Sequence, residues 1–171
     1  MDKPLSWKHL LFSVIFYRLF VFLFQMIDAE TAENNPDIEK QWAVKTFEHA
    51  ETYSQTLIAT IPQRIILTTK ETDDKIYLHF RNVFPLLNVN VLDEEEWKSE
   101  TGKATWRLFV NVYEGVVEDW NFGSMVRVNA SNPAYGDEGE NAMFVTRVQF
   151  CAVEIARNRE GCNDGICTKV Y

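Results

Sequence analysis

The stretch between Pro36 and Pro62 most constrains the fold, because its apolar residues recur at helical spacing between two prolines. Proline suits the first position of a helix, and acidic residues such as Asp37 and Glu39 stabilise the positive end of the helix dipole. Proline also disfavours helix in the residue before it. We therefore predict a helix from about Pro36 to Ile61. Its buried stripe comprises Ala43, Phe47, Ala50, Ser54, Leu57 and Ile61, with Trp42 and Tyr53 at the margins.

Three further helices are predicted from apolar periodicity and terminal signals. The first lies within residues 73–84 and is closed by Pro85. The second runs from a cap at Asp93 to about Glu118, although two glycines weaken it. The third covers residues 146–161, whose dense apolar residues fit either period. A helical stripe of Val148, Ala152, Ile155 and Ala156, with Gly161 as the stop signal, favours helix there.

Strand signals are shorter and fewer. Residues 64–69 are rich in β-branched side chains, residues 87–91 alternate apolar with Asn, and residues 124–130 form a third strand candidate. Residues 129–141 are predicted to be a loop because of their Gly, Pro and Asn content. The result is an α+β fold: a single compact domain over residues 28–163, with four main helices packed on a small sheet of about three strands.

The segment before this domain, residues 1–27, is predicted to be an apolar extension outside it, and residues 164–171 are predicted to be a tail. The apolar run from Leu10 to Phe24 is shorter than the ~20 residues that a membrane span requires, and Arg18 interrupts it. A secretory signal is the alternative, with Lys3 and Lys8 as its basic region. A third interpretation is that the functional chain starts at Met26, because an acidic segment typical of a cytosolic N-terminus follows it. Residues 1–25 are then an upstream extension.

Cysteines and the glycosylation pattern do not decide the compartment. Cys151 lies in an apolar run and is interpreted as a small core residue. Cys162 and Cys167 could close a small disulfide loop, but reduced thiols are expected for all three. Residues 129–131 match the short N-x-S acceptor pattern, which arises often by chance.

Charge and motifs exclude several function classes. The net charge is −8, and because residues 1–25 carry +2, the remainder carries −10. Such an acidic body repels phosphate backbones, so we expect no nucleic-acid binding and favour basic partners. Phosphate-binding glycine loops and metal spacings are absent, and His49 and His79 accompany no recognisable nucleophile motif. We therefore expect no cofactor, no metal site and no enzymatic activity.

Polar clusters remain as candidates for binding. Glu118 and Asp119 are adjacent and would cap and solvate a helix end rather than share a substrate. Arg157 and Arg159 could clamp a carboxylate, or could form a charged helix terminus that pairs with Glu154 or Glu118. Most tryptophans are expected in the core, and Trp97, directly after three glutamates, is the best candidate for an exposed one.

Five ordered blocks carry a family resemblance over residues 34–163. The blocks are NPDIEKQWAVKTFEHAE, DDKIYLHFRNVF, LDEEEWKSETGKATWRLF, GVVEDWNFGSMVRVN and QFCAVEIARNREG. They closely resemble the small eukaryotic family of polysaccharide biosynthesis domain-containing proteins. The apolar extension departs from the polar beginning that is usual in that family.

The resemblance implies a cytosolic chaperone of newly made translation elongation factor 1-alpha, which holds the GTP-binding domain of that protein until nucleotide binding completes its folding. It implies a monomer that works near ribosomes, without nucleic acid or membrane as a partner. The alternative, suggested by the family label, is an enzyme or accessory protein of polysaccharide biosynthesis in the secretory pathway. The protein-binding candidates are the polar or amphipathic residues within the blocks, namely Asp37, Trp42, His49, Glu118, Asp119, Asn121, Arg157 and Arg159.

Overall fold

A computed structural model describes residues 36–136 and 139–167, with side chains described from residue 43 onward. The helices are α1 (Pro36–Ala59), α2 (Lys70–Val83), α3 (Glu94–Lys98), α4 (Glu100–Asn111) and α5 (Arg147–Arg159). A short 3-10 helix covers Pro62–Arg64. The strands are β1 (Gly123–Arg127) and β2 (Ala142–Thr146), which form a two-stranded antiparallel sheet.

The α+β class predicted from the sequence is confirmed, with a smaller sheet than expected. β1 and β2 pair in register from Gly123 opposite Thr146 to Arg127 opposite Ala142. Helix α1 packs on β1, and α5 contacts both strands, α2 and α4. Every residue of α5 from Val148 to Asn158 is buried, so this helix is the centre of the core.

The strand predicted at residues 64–69 is wrong. The backbone N–H groups of Leu67 and Thr68 donate hydrogen bonds to the buried carboxylate of Asp73, at 2.9 and 3.1 Å. Because a side chain takes these donors, they are not available to a sheet ladder. The segment instead leads into α2, whose N-cap Thr69 accepts from the backbone N–H of Thr72.

The strand predicted at residues 87–91 is reduced to a single bridge between Val91 and Asn129. In contrast, β2 was not predicted, although Met143 and Val145 are buried and alternate with less buried neighbours. The alternation is too short to separate from the apolar run of α5 that follows directly.

The long helix predicted from Asp93 to Glu118 is broken at Ser99. The Ser99 hydroxyl accepts a hydrogen bond from the N–H of Gly102 and begins α4 there. A Cβ atom at Gly102 would collide with the backbone carbonyl oxygens of Glu96 and Trp97, so only glycine permits this close approach. The prediction that Trp97 is exposed is also wrong, because its ring is buried and stacks on Trp106 at 4.2 Å.

Candidate functional site

A turn after α4 presents three of the candidate side chains to solvent. We call residues 118–122 the acidic turn. Val117, just before it, is buried, and Trp120 is half-buried against the core. Glu118, Asp119 and Asn121 are exposed. They therefore lie in a turn after the helix and do not cap a helix end as predicted.

Helix α5 holds the acidic turn in place. The backbone N–H of Arg147 donates to the carbonyl oxygen of Phe122 at 2.8 Å, and the N–H of Val148 donates to that of Trp120 at 3.1 Å. The first N–H groups of a helix have no partner within the helix, so these carbonyls satisfy them. The turn is therefore attached to the most buried element of the fold through backbone groups.

Asp119 has an unusual backbone conformation. Its φ of 53° makes it the only non-glycine residue with positive φ in the described part of the chain. Aspartate tolerates this left-handed region better than most residues, but such conformations carry strain and concentrate at functional sites. The N–H of Phe122 donates to the carbonyl oxygen of Asp119 at 2.8 Å and closes the turn.

Helix α1 lies beside the acidic turn. Lys45 Nζ is 3.2 Å from Asp119 Oδ2 and 4.7 Å from the centre of the Phe122 ring. The hydroxyl of Thr46 donates to the carbonyl oxygen of Gly123 at 3.0 Å. Both side chains of the ion pair are more than half exposed, so the pair orients Asp119 more than it stabilises the fold.

His49 lies one helical turn beyond Lys45, next to the start of α5. Its Nε2 is hydrogen-bonded to the guanidinium of Arg147, and its ring meets that of Phe150 edge-on at 5.1 Å. Burial, followed by the charges of Arg147 and Lys45, lowers the pKa of His49 to about 4. His49 is therefore neutral at physiological pH, and Nε2 accepts the hydrogen bond from Arg147.

The structure thus places Asp119 against Lys45 and Arg147 against His49, one helical turn apart on α1, with Glu118 and Asn121 exposed beside Asp119. We call this region of α1, the acidic turn and the start of α5 the polar face. This face offers carboxylate and amide oxygens as acceptors. Lys45 and Arg147 border it, and no sequence pattern singled them out. Such a set suits hydrogen bonding and ion pairing with a protein partner.

Arg157 lies in the core, away from the polar face, and is fully buried. Its Nη1 donates to Glu154 Oε1 at 2.7 Å, and its Nε donates to the carbonyl oxygen of Val89 at 2.6 Å. The pairing with Glu154 left open by the sequence is therefore the correct alternative. The carboxylate-clamp interpretation is wrong for Arg157, and its guanidinium has no exposed surface to offer a partner.

A buried polar network surrounds this arginine. Arg127 Nη2 donates to Glu154 Oε2 at 3.0 Å and to Asn163 Oδ1 at 2.8 Å. The Tyr53 hydroxyl donates to Glu154 Oε2 at 3.0 Å. Burial alone would raise the pKa of Glu154, but the charges of Arg157 and Arg127 outweigh it and lower the pKa. Glu154 was named from the sequence as a possible partner of the arginines, whereas Arg127 was not predicted, although it is a charged residue within an otherwise apolar run.

Arg159 lies at the far end of α5, twelve residues and about 18 Å from Arg147. It pairs with Asp74 at 2.6 Å and lies over the ring of Tyr77 at 4.9 Å. It is therefore exposed but separate from the polar face. The side chains of Asp37 and Trp42 are outside the described residues, and their role stays a prediction.

The described residues also bear on membrane and metal sites. None of the helices there combines the length and the apolar character that a bilayer-spanning helix requires. Within residues 36–136 and 139–167, no group of three or more His, Cys, Asp or Glu side chains is arranged to hold a metal ion.

Comparison with known proteins confirms the resemblance seen in the sequence. Residues 38–168 match the family described as PBDC1 protein. The mouse protein PBDC1 is 45% identical over 141 residues, which cover 82% of this chain and 69% of that protein. The budding yeast PBDC1 homolog is 44% identical, over 81% of this chain and 94% of that protein. A solution NMR structure of the budding yeast protein yst0336 has a TM-score of 0.70 and 42% identity, over 85% of this chain and 99% of that chain.

Proposed function

The chain belongs to the PBDC1 protein family, and on this premise we propose that it is a non-enzymatic, cytosolic, monomeric module that assists the folding of newly made translation elongation factor 1-alpha. The partner is the one that the family resemblance of the sequence blocks implies.

The acidic turn is the observation that carries this proposal. Its backbone is fixed to α5, and Glu118 and Asn121 extend from it into solvent with Asp119 between them. Interface groups that are already held in position lose little conformational entropy on binding. The net charge of −8 further favours encounter with a basic protein, because complementary charges steer association.

The mechanism follows from mass action. The module binds the GTP-binding domain of the elongation factor while that domain is incompletely folded, and it lowers the concentration of the free, aggregation-prone form. When GTP binds, the folded state of the client becomes favourable and the module is released. No chemical step is required, so the module needs carboxylates and amides but no nucleophile.

The binding partner can be tested in a translating extract with ribosomes retained. We expect the wild-type chain to capture nascent elongation factor 1-alpha, and we expect Glu118→Gln with Asp119→Asn to reduce the capture by about tenfold. Asparagine also tolerates the left-handed conformation of Asp119, so the turn keeps its shape. Glu95→Gln with Glu96→Gln removes two exposed carboxylates on α3 as the matched control.

Two results would count against the proposal. Failure of the wild-type chain to enrich nascent elongation factor 1-alpha would remove the chaperone function. Equal losses in the two double variants would show that total charge acts, rather than the acidic turn. Calorimetry with sugar nucleotides tests the enzyme alternative, and measurable binding would favour it.

A further inference from the structure

Helix α4 and its continuation carry apolar side chains on the surface. Leu108, Val112 and Val116 are 73%, 60% and 58% exposed, and Ala104, one turn earlier, is also exposed. Residues four apart lie one above the other on a helix, so Ala104, Leu108 and Val112 line up, and the exposed Val116 lies in the turn after the helix, where its N–H donates to the carbonyl oxygen of Tyr113. We call these four residues the apolar row. Isolated exposed apolar residues are common, but a continuous row is typical of an interaction site.

The apolar row has no part in filling the core. The opposite side of α4 does that, because Trp106 and Phe109 are buried with ring centroids 5.5 Å apart. Phe109 in turn lies 4.5 Å from the ring of His79 on α2 in a stacked arrangement. The aromatic side of α4 therefore fixes the helix, and the row is presented on a rigid support.

The two ends of the apolar row carry opposite charges. Lys103 and Arg107 are exposed beside its first half. Glu114 and Glu118 are exposed beside its second half, where the chain leads into the acidic turn. An occupant of the row is therefore favoured in one direction, with positive charge over the two glutamates.

We propose that the apolar row is the docking surface for a short apolar segment of an unfinished protein chain, with basic residues at the end that lies over Glu114 and Glu118. This inference rests on the proposed function and deepens it, because it states which part of the client is shielded and by which side chains. Burial of the apolar segment against Leu108 and Val112 drives binding, and the charges set its direction.

Designed peptides test the chemistry of the occupant. Along α4, from Ala104 to Val112, the row spans about 12 Å, so a fully extended segment of about six residues covers it with about one residue to spare at each end. The probe is a fluorescent peptide with six apolar residues and two lysines at one end, compared with the same peptide carrying two glutamates. We expect the lysine peptide to bind about tenfold more tightly. Equal affinities, or no binding of either peptide, would overturn the proposal.

Surface variants test the location. Leu108→Gln with Val112→Thr keeps side-chain size and removes apolar surface, and Leu78→Gln does the same on the outer face of α2, where Leu78 is 64% exposed. We expect the first variant to weaken lysine-peptide binding about tenfold and the second to leave it unchanged. Equal effects of the two variants would overturn the proposal.

The direction in which the bound peptide lies on the apolar row can be measured independently. A photoreactive group at the lysine end of the peptide should crosslink to residues 114–118, and crosslinking near Arg107 instead would contradict the charge argument.

Removal of residues 1–25 tests whether a segment of the chain itself occupies the apolar row. If peptide binding occurs only after that removal, the apolar run from Leu10 to Phe24 occupies the row, and the proposed occupant is wrong.

The outcomes separate this inference from the function on which it rests. Nascent elongation factor 1-alpha captured equally well by wild type and by Leu108→Gln with Val112→Thr would overturn the role of the row and leave the function standing. Peptide binding by a chain that captures no elongation factor would leave the apolar row as a binding surface and remove the function.

Discussion

Arg157 and Glu154 lie one turn apart on α5, and the 2.7 Å ion pair between them is completely buried. Glu154 also pairs with Arg127, so one carboxylate contacts two guanidinium groups inside the core. Burying charge is costly unless it is paired and hydrogen-bonded, and here carbonyl oxygens complete the pairing of Arg157.

Loss of Arg157 should destabilise the fold far more than loss of Arg159. Arg157→Gln leaves the carbonyl oxygens of Val89 and Arg127 without these donors and removes one of the two guanidinium partners of Glu154, so we expect the free energy of unfolding to fall by about 2–4 kcal/mol. Arg159→Gln breaks a partly exposed pair with Asp74 and should cost about 1 kcal/mol or less. Urea denaturation of both variants measures the difference, and similar costs would contradict the buried network.

His49 should make stability depend on pH. Its pKa falls from the usual 6.5 to about 4 in the folded chain, through burial first and then Arg147 and Lys45. Between pH 6.5 and pH 4 the unfolded chain therefore binds a proton that the folded chain does not. The free energy of unfolding should fall as the pH drops through this window and should level off above it.

The contribution of His49 is isolated by comparing the wild type with His49→Gln in urea at several pH values. The variant lacks the titrating group, so its stability should decline less on acidification. Parallel pH profiles for the two proteins would show that His49 titrates normally in the folded chain.

The conformation of Asp119 predicts a residue-specific cost. A β-branched side chain is strained at positive φ, so Asp119→Val should lower the free energy of unfolding by about 1–2 kcal/mol. Glu118→Val is the control at the neighbouring residue, where φ is not positive, and it should lower the free energy of unfolding by less. Thermal unfolding compares the two, and a cheaper substitution at Asp119 would be inconsistent with the strained turn.

Helix α5 begins with a capping box. The Thr146 hydroxyl accepts from the N–H of Gln149, and the Gln149 side chain accepts from the N–H of Thr146. Thr146→Ala should therefore cost about 1 kcal/mol, whereas Thr146→Ser keeps the hydroxyl and most of that stability. Denaturation midpoints measured side by side test this, and identical losses in both variants would exclude the cap as the cause.

The three free thiols should differ in reactivity. Cys151 is fully buried, which confirms the core position expected from the sequence, and burial raises its pKa to about 12. Cys162 and Cys167 are only partly buried. Iodoacetamide at pH 8 should alkylate these two in the folded protein and Cys151 only after unfolding. Mass spectrometry of peptides reads the result, and rapid labelling of Cys151 in the native state would contradict it.

The helices could be predicted from the sequence where the apolar periodicity agrees with the start and stop signals at the helix ends. Pro36 and Pro62 bound α1, and Gly161, with φ of 79°, follows α5 as its stop signal predicts. The break at Ser99 could not be predicted, because it depends on how closely Gly102 approaches two carbonyl oxygens of α3. The false strand at 64–69 has a similar cause, since the carboxylate of Asp73 takes the donors that a sheet would use.

The candidate site was predicted in part. Glu118, Asp119 and Asn121 were chosen as polar residues within a block that carries the family resemblance, and the structure shows all three exposed in the acidic turn. Their support by the carbonyls of Trp120 and Phe122 depends on how α5 packs, which no local pattern encodes. The same lack of tertiary information made Arg157 a surface candidate, because a single arginine near a helix end looks the same whether it is solvated or buried.

The buried network has a consequence for the order in which this protein completes itself during synthesis. Its members come from α1, β1, α5 and finally Asn163, whose amide donates to Glu154 at 3.1 Å and accepts from Arg127 at 2.8 Å. A growing chain that has not yet exposed Asn163 beyond the ribosome leaves Arg127 and Glu154 short of a partner. The core can therefore close fully only once the segment after α5 has emerged, so a protein that we propose to assist unfinished chains passes through a late unfinished stage of its own.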